Sequence, residues 1–205
     1  EHSYPLARMS RDEVRACALR VIVYRNRVAL EVFHSLTDGT GALIFLKTLL
    51  AEYLQQKHGI RIPAEKGVLG RLDEPSQEEL EDSFQRYAGP VNASRKETDA
   101  FRLQGTQEPD GFLHLTCFKV SVEEALALAH NYHATLTVFM SAVMMKALLN
   151  LQHEKNPNVS HQKRIKLMIP VNLRKLFPSN TLRNFAMYTV PELDPRLGEY
   201  TLEEI

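Results

Sequence analysis

Cysteine is scarce in this chain: Cys17 and Cys117 are the only two among 205 residues, and they stand 100 positions apart. Such spacing excludes a disulfide scaffold or a cysteine-based zinc framework and makes a reducing cytoplasm the expected compartment. Each lies in a strand-like run with no neighbouring base, so each is expected to be a buried, inert thiol. An excess of charge of one sign is also missing. The 25 Lys and Arg residues balance 25 Asp and Glu, so there is no general electrostatic reason to expect nucleic acid or an anionic membrane as partner. Long apolar runs are absent too. The longest, 138–151, is interrupted by Lys146 and falls short of the ~20 residues that a bilayer span needs. No glycine-rich loop of the kind that cradles phosphates is present.

What the chain does have is 44% hydrophobic residues, enough for the core of one large domain or two small ones. Its most informative stretch runs from Glu31 to Gly39, Glu-Val-Phe-His-Ser-Leu-Thr-Asp-Gly. Before it, Val28, Leu30 and Val32 alternate with Ala29, Glu31 and Phe33, which predicts a strand over 28–33 whose inward set His34 continues. After it, Ala42, Leu43, Leu46, Leu49, Leu50, Tyr53 and Leu54 recur at helical spacing, predicting a helix over 40–57 closed by Gly59. A histidine at a strand end, followed by a Thr-Asp-Gly turn into a helix, is held by rigid elements and can still face a cavity. The pattern H-x-x-x-D-G has a chance expectation of roughly one per cent in this composition. The structural alternative is a core histidine bonded to the backbone, with Asp38 as a helix N-cap and Gly39 as a turn residue.

Elsewhere the periodicity predicts a strand over 14–24 joined by an Arg25-Asn26 turn to the strand before His34, the hairpin being central in its sheet. A Ser76/Glu79 capping box predicts a helix through Tyr87. Residues 101–103 and 112–120 read as a second hairpin, and Ser121/Glu124 as the start of a helix ending near His133. A helix over 137–152 is apolar around nearly its whole circumference, which predicts burial on several sides. Strands are expected over 165–171, with Pro170 at the exit, and over 182–190. The class is α/β, a mixed sheet flanked by helices.

The residues His34, Asp38 and Gly39 in HSLTDGTGALIFLKTLLAEYL, together with TLTVFMSAVMMKALL and IKLMIPVNLRKLFPSNTLRNF, give the chain a resemblance to a known family. It resembles the condensation-type, thioester-dependent acyltransferases of chloramphenicol acetyltransferase-like fold, and within them the alcohol acetyltransferase branch. Condensation domains of peptide synthetases commonly carry a second histidine where this chain has Phe33, a departure that favours a free thioester over a carrier-bound one. The resemblance implies an incomplete fragment, with segments before Glu1 and after Ile205 belonging to the parent chain. Residues 1–110 would carry the motif and a connecting region of the first half, and 111–205 the start of the second. A channel between two halves would leave the fragment itself inactive.

The implied chemistry is transfer of an acyl group, acetyl above all, from a CoA thioester to an alcohol or amine, with acyl-CoA as substrate and no bound cofactor. Neutral imidazole is matched to removing the acceptor's proton near pH 7, and the thioester leaving group makes a covalent intermediate unnecessary. His34 is the expected general base. Asp38 is expected to hold the loop by pairing with an arginine, Arg174 or Arg183, and Gly39 to let the backbone turn closely. Asn172 and Asn184 either line the channel or make turn hydrogen bonds. Met140, Met144 and Met145 read as core filler rather than an acyl pocket. His130 and His133 lack further ligands at metal spacing, so no metal is expected. Two other functions fit the same residues: a condensation domain fed by a carrier protein, and a catalytically silent binding or scaffold module of this fold.

Overall fold

Ser10 opens the first regular element. Its hydroxyl accepts from Glu13 N at 3.2 Å while the Glu13 carboxylate accepts from Ser10 N at 2.8 Å, a reciprocal cap that starts α1, Arg11–Ala16. The computed structural model describes residues 6–90, 98–110 and 112–205. The strand expected over 14–24 is therefore shorter. Local capping overrides the alternation up to Ala16, Cys17 caps the helix C-terminus, and β1 is Leu19–Tyr24. An edge segment expected around Tyr4 to Met9 lies partly outside the described residues, and 6–9 is irregular.

β1 pairs antiparallel with β2, Arg27–Val32, in register from Leu19↔Val32 to Tyr24↔Arg27 across the Arg25-Asn26 turn. Arg25 takes the positive φ, 52°, that this tight turn requires. The hairpin is not central: among the described residues it forms a sheet of its own, and Val21 and Val23 are exposed. The 20-residue α2, Gly39–His58, follows, capped by Asp38 and closed by Gly59 in the left-handed conformation at φ 68°.

The helix expected from Ser76 to Tyr87 is two: α3, Gln77–Leu80, and α4, Ser83–Tyr87. Asp82 accepts from Phe84 N at 3.1 Å and restarts the chain, because a second N-cap ends one helix to begin the next.

By internal contacts the chain divides into two units, Glu1–Asn92 with Val171–Met187, and Ala93–Pro170 with Tyr188–Ile205. Residues 171–187 thus return to the first unit. They are anchored there by Phe185, wholly buried among Phe84, Tyr87 and Phe177 with ring centroids 5.4, 6.0 and 6.4 Å away. Thr181 Oγ1 donates to Glu81 O at 2.6 Å and Leu182 N to Glu79 O at 2.9 Å.

In the second unit α5, Val122–Asn131, capped by Ser121, and α6, Leu136–Lys155, capped by Thr135, meet at 78°. Below α6, β3, Ile165–Lys166, pairs antiparallel with β6, Glu192–Leu193. Gln152, buried on α6, clasps both Lys163 N and O at 2.9 and 2.8 Å. The strand expected over 165–171 thus splits, and its second piece, β4, Ile169–Asn172, pairs with β5, Ala186–Thr189. Pro170 lies within β4 rather than at its exit, on a two-stranded sheet whose free edge spares it a missing donor.

Three further expectations are corrected. Among the described residues the hairpin over 101–103 and 112–120 does not form: Ala100 bridges to Arg164, and beyond it Leu115, Phe118 and Val120 stand exposed in no strand. Alternation alone does not supply the partner that a strand needs. α6 is not buried on several sides; Met145 is buried, but Val138, Met140 and Met144 are exposed. Both cysteines are free and exposed rather than buried.

Helices and small sheets alternate, so the class is α/β, built of two-stranded pairs rather than one continuous sheet among the described residues. No single helix among them is long and apolar enough to cross a membrane.

Candidate functional site

β2 ends at Val32, and the last bond to the neighbouring strand is Phe33 N to Ala18 O at 2.8 Å. The chain then folds into a short turn closed by Leu36 N to Phe33 O at 2.9 Å. His34 is in that turn, one residue beyond the strand, and its side chain is exposed rather than continuing the inward aliphatic set. Its ring is held loosely. Asn184 Nδ2 lies 3.4 Å from His34 Nδ1 and donates to the His34 carbonyl at 3.2 Å.

Four residues on, the environment reverses. The Asp38 side chain is 5% exposed. Its Oδ1 accepts from Thr40 N and Gly41 N at 3.0 and 3.1 Å, its Oδ2 from Arg174 Nη1 and Phe185 N at 2.6 and 2.8 Å. Burial pushes this carboxyl up, but the Phe185 amide, the Arg174 guanidinium and the Gly41 amide outweigh it and hold it below the ordinary aspartate value of 3.8. Four donors fill its acceptor positions. Asp38 therefore has nothing left to offer the His34 ring, and an Asp-His dyad is ruled out by saturation.

Arg174 is the arginine that meets Asp38, and all of its donors are engaged. Besides Asp38, Nη1 reaches Asn172 Oδ1 at 3.2 Å; Nε and Nη2 donate to Thr181 O at 2.9 and 2.8 Å; Nη2 also donates to Arg183 O at 2.7 Å. Arg183 contributes only that carbonyl. Asn172 belongs to the same network, donating to Thr40 Oγ1 at 3.0 Å and accepting from Arg174 N at 3.1 Å. It makes turn hydrogen bonds and lines no part of the cavity beside His34. Asn184 is apart from this network and is the one expected site residue that touches His34.

The close approach assigned to Gly39 occurs at Gly41. A Cβ on Gly41 would lie 2.3 Å from Leu182 O and 2.1 Å from Thr37 Oγ1, which itself donates to Leu182 O at 2.5 Å. A Cβ on Gly39 would meet nothing within 4 Å. Gly41, Thr37 and Phe185 are the residues that sequence reasoning missed. The only local signal was the second glycine of Asp-Gly-Thr-Gly.

On its other side His34 borders a cavity of about 640 Å³, lined also by Leu6, Val14, Val32 and Phe33 among others. The roof is pinned by Glu31 and Arg20, opposite one another on the hairpin and paired at 3.2 Å. Glu31 accepts from Leu6 N at 2.8 Å, and Arg20 donates to Ala7 O at 2.8 Å and Arg8 O at 3.3 Å. The half-buried pair thus fixes the 6–8 segment over the hairpin.

The site combines an accessible imidazole at a cavity with a rigid, charge-saturated support, which suits proton transfer by His34 alone. No group of three or more His, Cys, Asp or Glu among the described residues could hold a metal ion. Comparison with family models, curated proteins and solved structures found no match to this chain.

Proposed function

We propose that His34 is the general base of a thioester-dependent acyltransferase of chloramphenicol acetyltransferase-like type, moving an acyl group, acetyl above all, from CoA to an alcohol. The observation that carries this reading is the contrast within one motif: an exposed ring beside a cavity of about 640 Å³, four residues from a carboxylate that is fully bonded elsewhere. The resemblance of the motif and its flanking helix adds the reaction class.

His34 Nε2 has no hydrogen-bond partner among the described residues, so it is the nitrogen free to meet an acceptor. It takes the hydroxyl proton as the oxygen attacks the thioester carbonyl; the C–O bond forms, the C–S bond breaks, and the imidazolium returns the proton to the departing thiolate. This requires the tautomer protonated at Nδ1, against which the Asn184 amide now presents its donor Nδ2, so the amide must turn over and give up its bond to the His34 carbonyl. Asn184 Oδ1 is buried with no partner among the described residues and is the acceptor that an Nδ1–H would take after rotation of that amide.

The full-length protein is expected to release thiol from acetyl-CoA only when an alcohol is present. His34→Ala should abolish release while leaving the melting temperature unchanged. Turnover retained in that variant would remove His34 from the mechanism.

A further inference from the structure

The cavity beside His34 carries more positive charge than a general base needs. Arg11 and Arg15 are four residues apart and so share a face of α1, and both line the cavity together with Arg8 from the preceding turn. None of the three is committed to a carboxylate by geometry that matters. Arg15 stands 4.0 Å from Asp12, with side chains 80% and 96% exposed, a separation and exposure at which water screens the pair. Arg8 and Arg11 have no ion pair among the described residues. Of the other acidic groups nearby, Glu13 is occupied by Ser10 and Arg20, and Glu31 by Arg20 and Leu6 N, while Asp12 points into solvent at 96% exposure. Glu31 is also the only carboxylate among the described residues that line the cavity, and Arg20 neutralises it. The cavity beside the imidazole is therefore lined by apolar residues and by three exposed arginines, Arg8, Arg11 and Arg15, that are not committed to a carboxylate among the described residues.

We propose that Arg8, Arg11 and Arg15 form an anion-binding subsite for a phosphate or carboxylate of the molecule whose reacting end lies at His34. Guanidinium forks match both oxyanions in geometry. Resting on the acyltransferase reading, the subsite has two sources for its anion: the phosphates of a CoA donor, or an acidic group on the acceptor. The Arg20–Glu31 pair ties the 6–8 segment that leads into α1 to the hairpin that ends beside His34.

The test titrates inorganic pyrophosphate by calorimetry into the full-length protein, which needs no turnover. Wild type is expected to bind it in a salt-sensitive manner. An Arg8→Gln/Arg11→Gln/Arg15→Gln variant should bind at least about tenfold more weakly, and Arg11→Gln alone should show part of that loss. All three side chains are exposed, so the variants should melt like wild type. If the anion belongs to the donor, the triple variant raises KM for acetyl-CoA but not for S-acetylpantetheine, which lacks the phosphates. If it belongs to the acceptor, KM rises for 3-hydroxybutyrate but not for 2-butanol. Wild type and triple variant that are indistinguishable toward pyrophosphate, acetyl-CoA and 3-hydroxybutyrate would overturn the subsite. Arginine-dependent pyrophosphate binding without any acyl transfer would keep the subsite and discard the acyltransferase reading.

Discussion

The two ends of the His34–Gly39 stretch are built on opposite principles. At Asp38 every lone pair is filled and the side chain is 5% exposed; at His34 the ring is exposed, and its contacts to Asn184 are 3.2 and 3.4 Å long. A carboxylate held by four donors cannot be displaced cheaply, so it fixes the turn. An imidazole left in the open keeps its basic nitrogen for a ligand. A fixed carboxylate and an open imidazole stand four residues apart, and the contrast predicts that the two fail differently when altered.

His34→Ala tests the chemical end and carries the largest expected effect. Under the proposed acyltransferase reading, loss of the base costs about 10² to 10⁴ in kcat, while removal of an exposed ring should leave the melting temperature within about 2 °C of wild type. A large loss of stability would mean that His34 is structural after all.

Asp38→Asn tests the other end. It leaves the Arg174 charge without its counterion, and in either orientation the new NH2 group faces N–H donors, those of Thr40 and Gly41 or those of Arg174 and Phe185. Breaking such a buried pair costs about 3 to 5 kcal/mol, or about 6 to 20 °C in melting temperature for a chain of this size. The cost should depend on pH in a definite sense. Because the folded carboxyl is held below 3.8, its stabilisation is complete above that unfolded value and is lost as pH falls through the lower folded one. Wild type and Asp38→Asn should therefore converge in thermal stability only in acid below pH 3.8. A gap that closed near neutrality would assign the pairing to another group.

These contrasts were only half legible in the sequence. α2 could be read because its signals are local: Asp38 before it, Gly59 after it, and leucines at helical spacing between. Ser121 before α5 could be read for the same reason. The Ser10/Glu13 box was equally local, but it was masked by the alternation that follows it. The choice of Arg174 over Arg183 was beyond local reading, because it depends on how residues 171–187 return to pack on α4 through Phe185. That return is written in no periodicity. The exposure of Phe118 was also hidden, since an alternating pattern states which face is apolar and not whether anything covers it. His34 was misread in one respect: the strand stops at Val32, so alternation no longer governs where its ring points.

Gly41 and Gly39 offer the smallest and sharpest comparison. Both begin α2, and a motif reading assigns the essential turn to Gly39. The space around them says the reverse. At Gly41 a methyl group would collide with the Leu182 backbone carbonyl at 2.3 Å, which cannot yield without shifting the 182–185 segment that leads into β5 and carries the buried Phe185. Gly41→Ala should cost about 1 to 3 kcal/mol, as overpacking does, and should loosen the Asp38 network with it. At Gly39 the space is open and the backbone is not left-handed, so Gly39→Ala should be neutral or stabilising by up to about 1 kcal/mol through the reduced entropy of the unfolded chain. Thermal melts of the two variants decide the matter. If Gly39→Ala proved the costlier change, the close approach at this turn would lie at the motif glycine, and a ligand rather than Leu182 would have to be the neighbour that demands it.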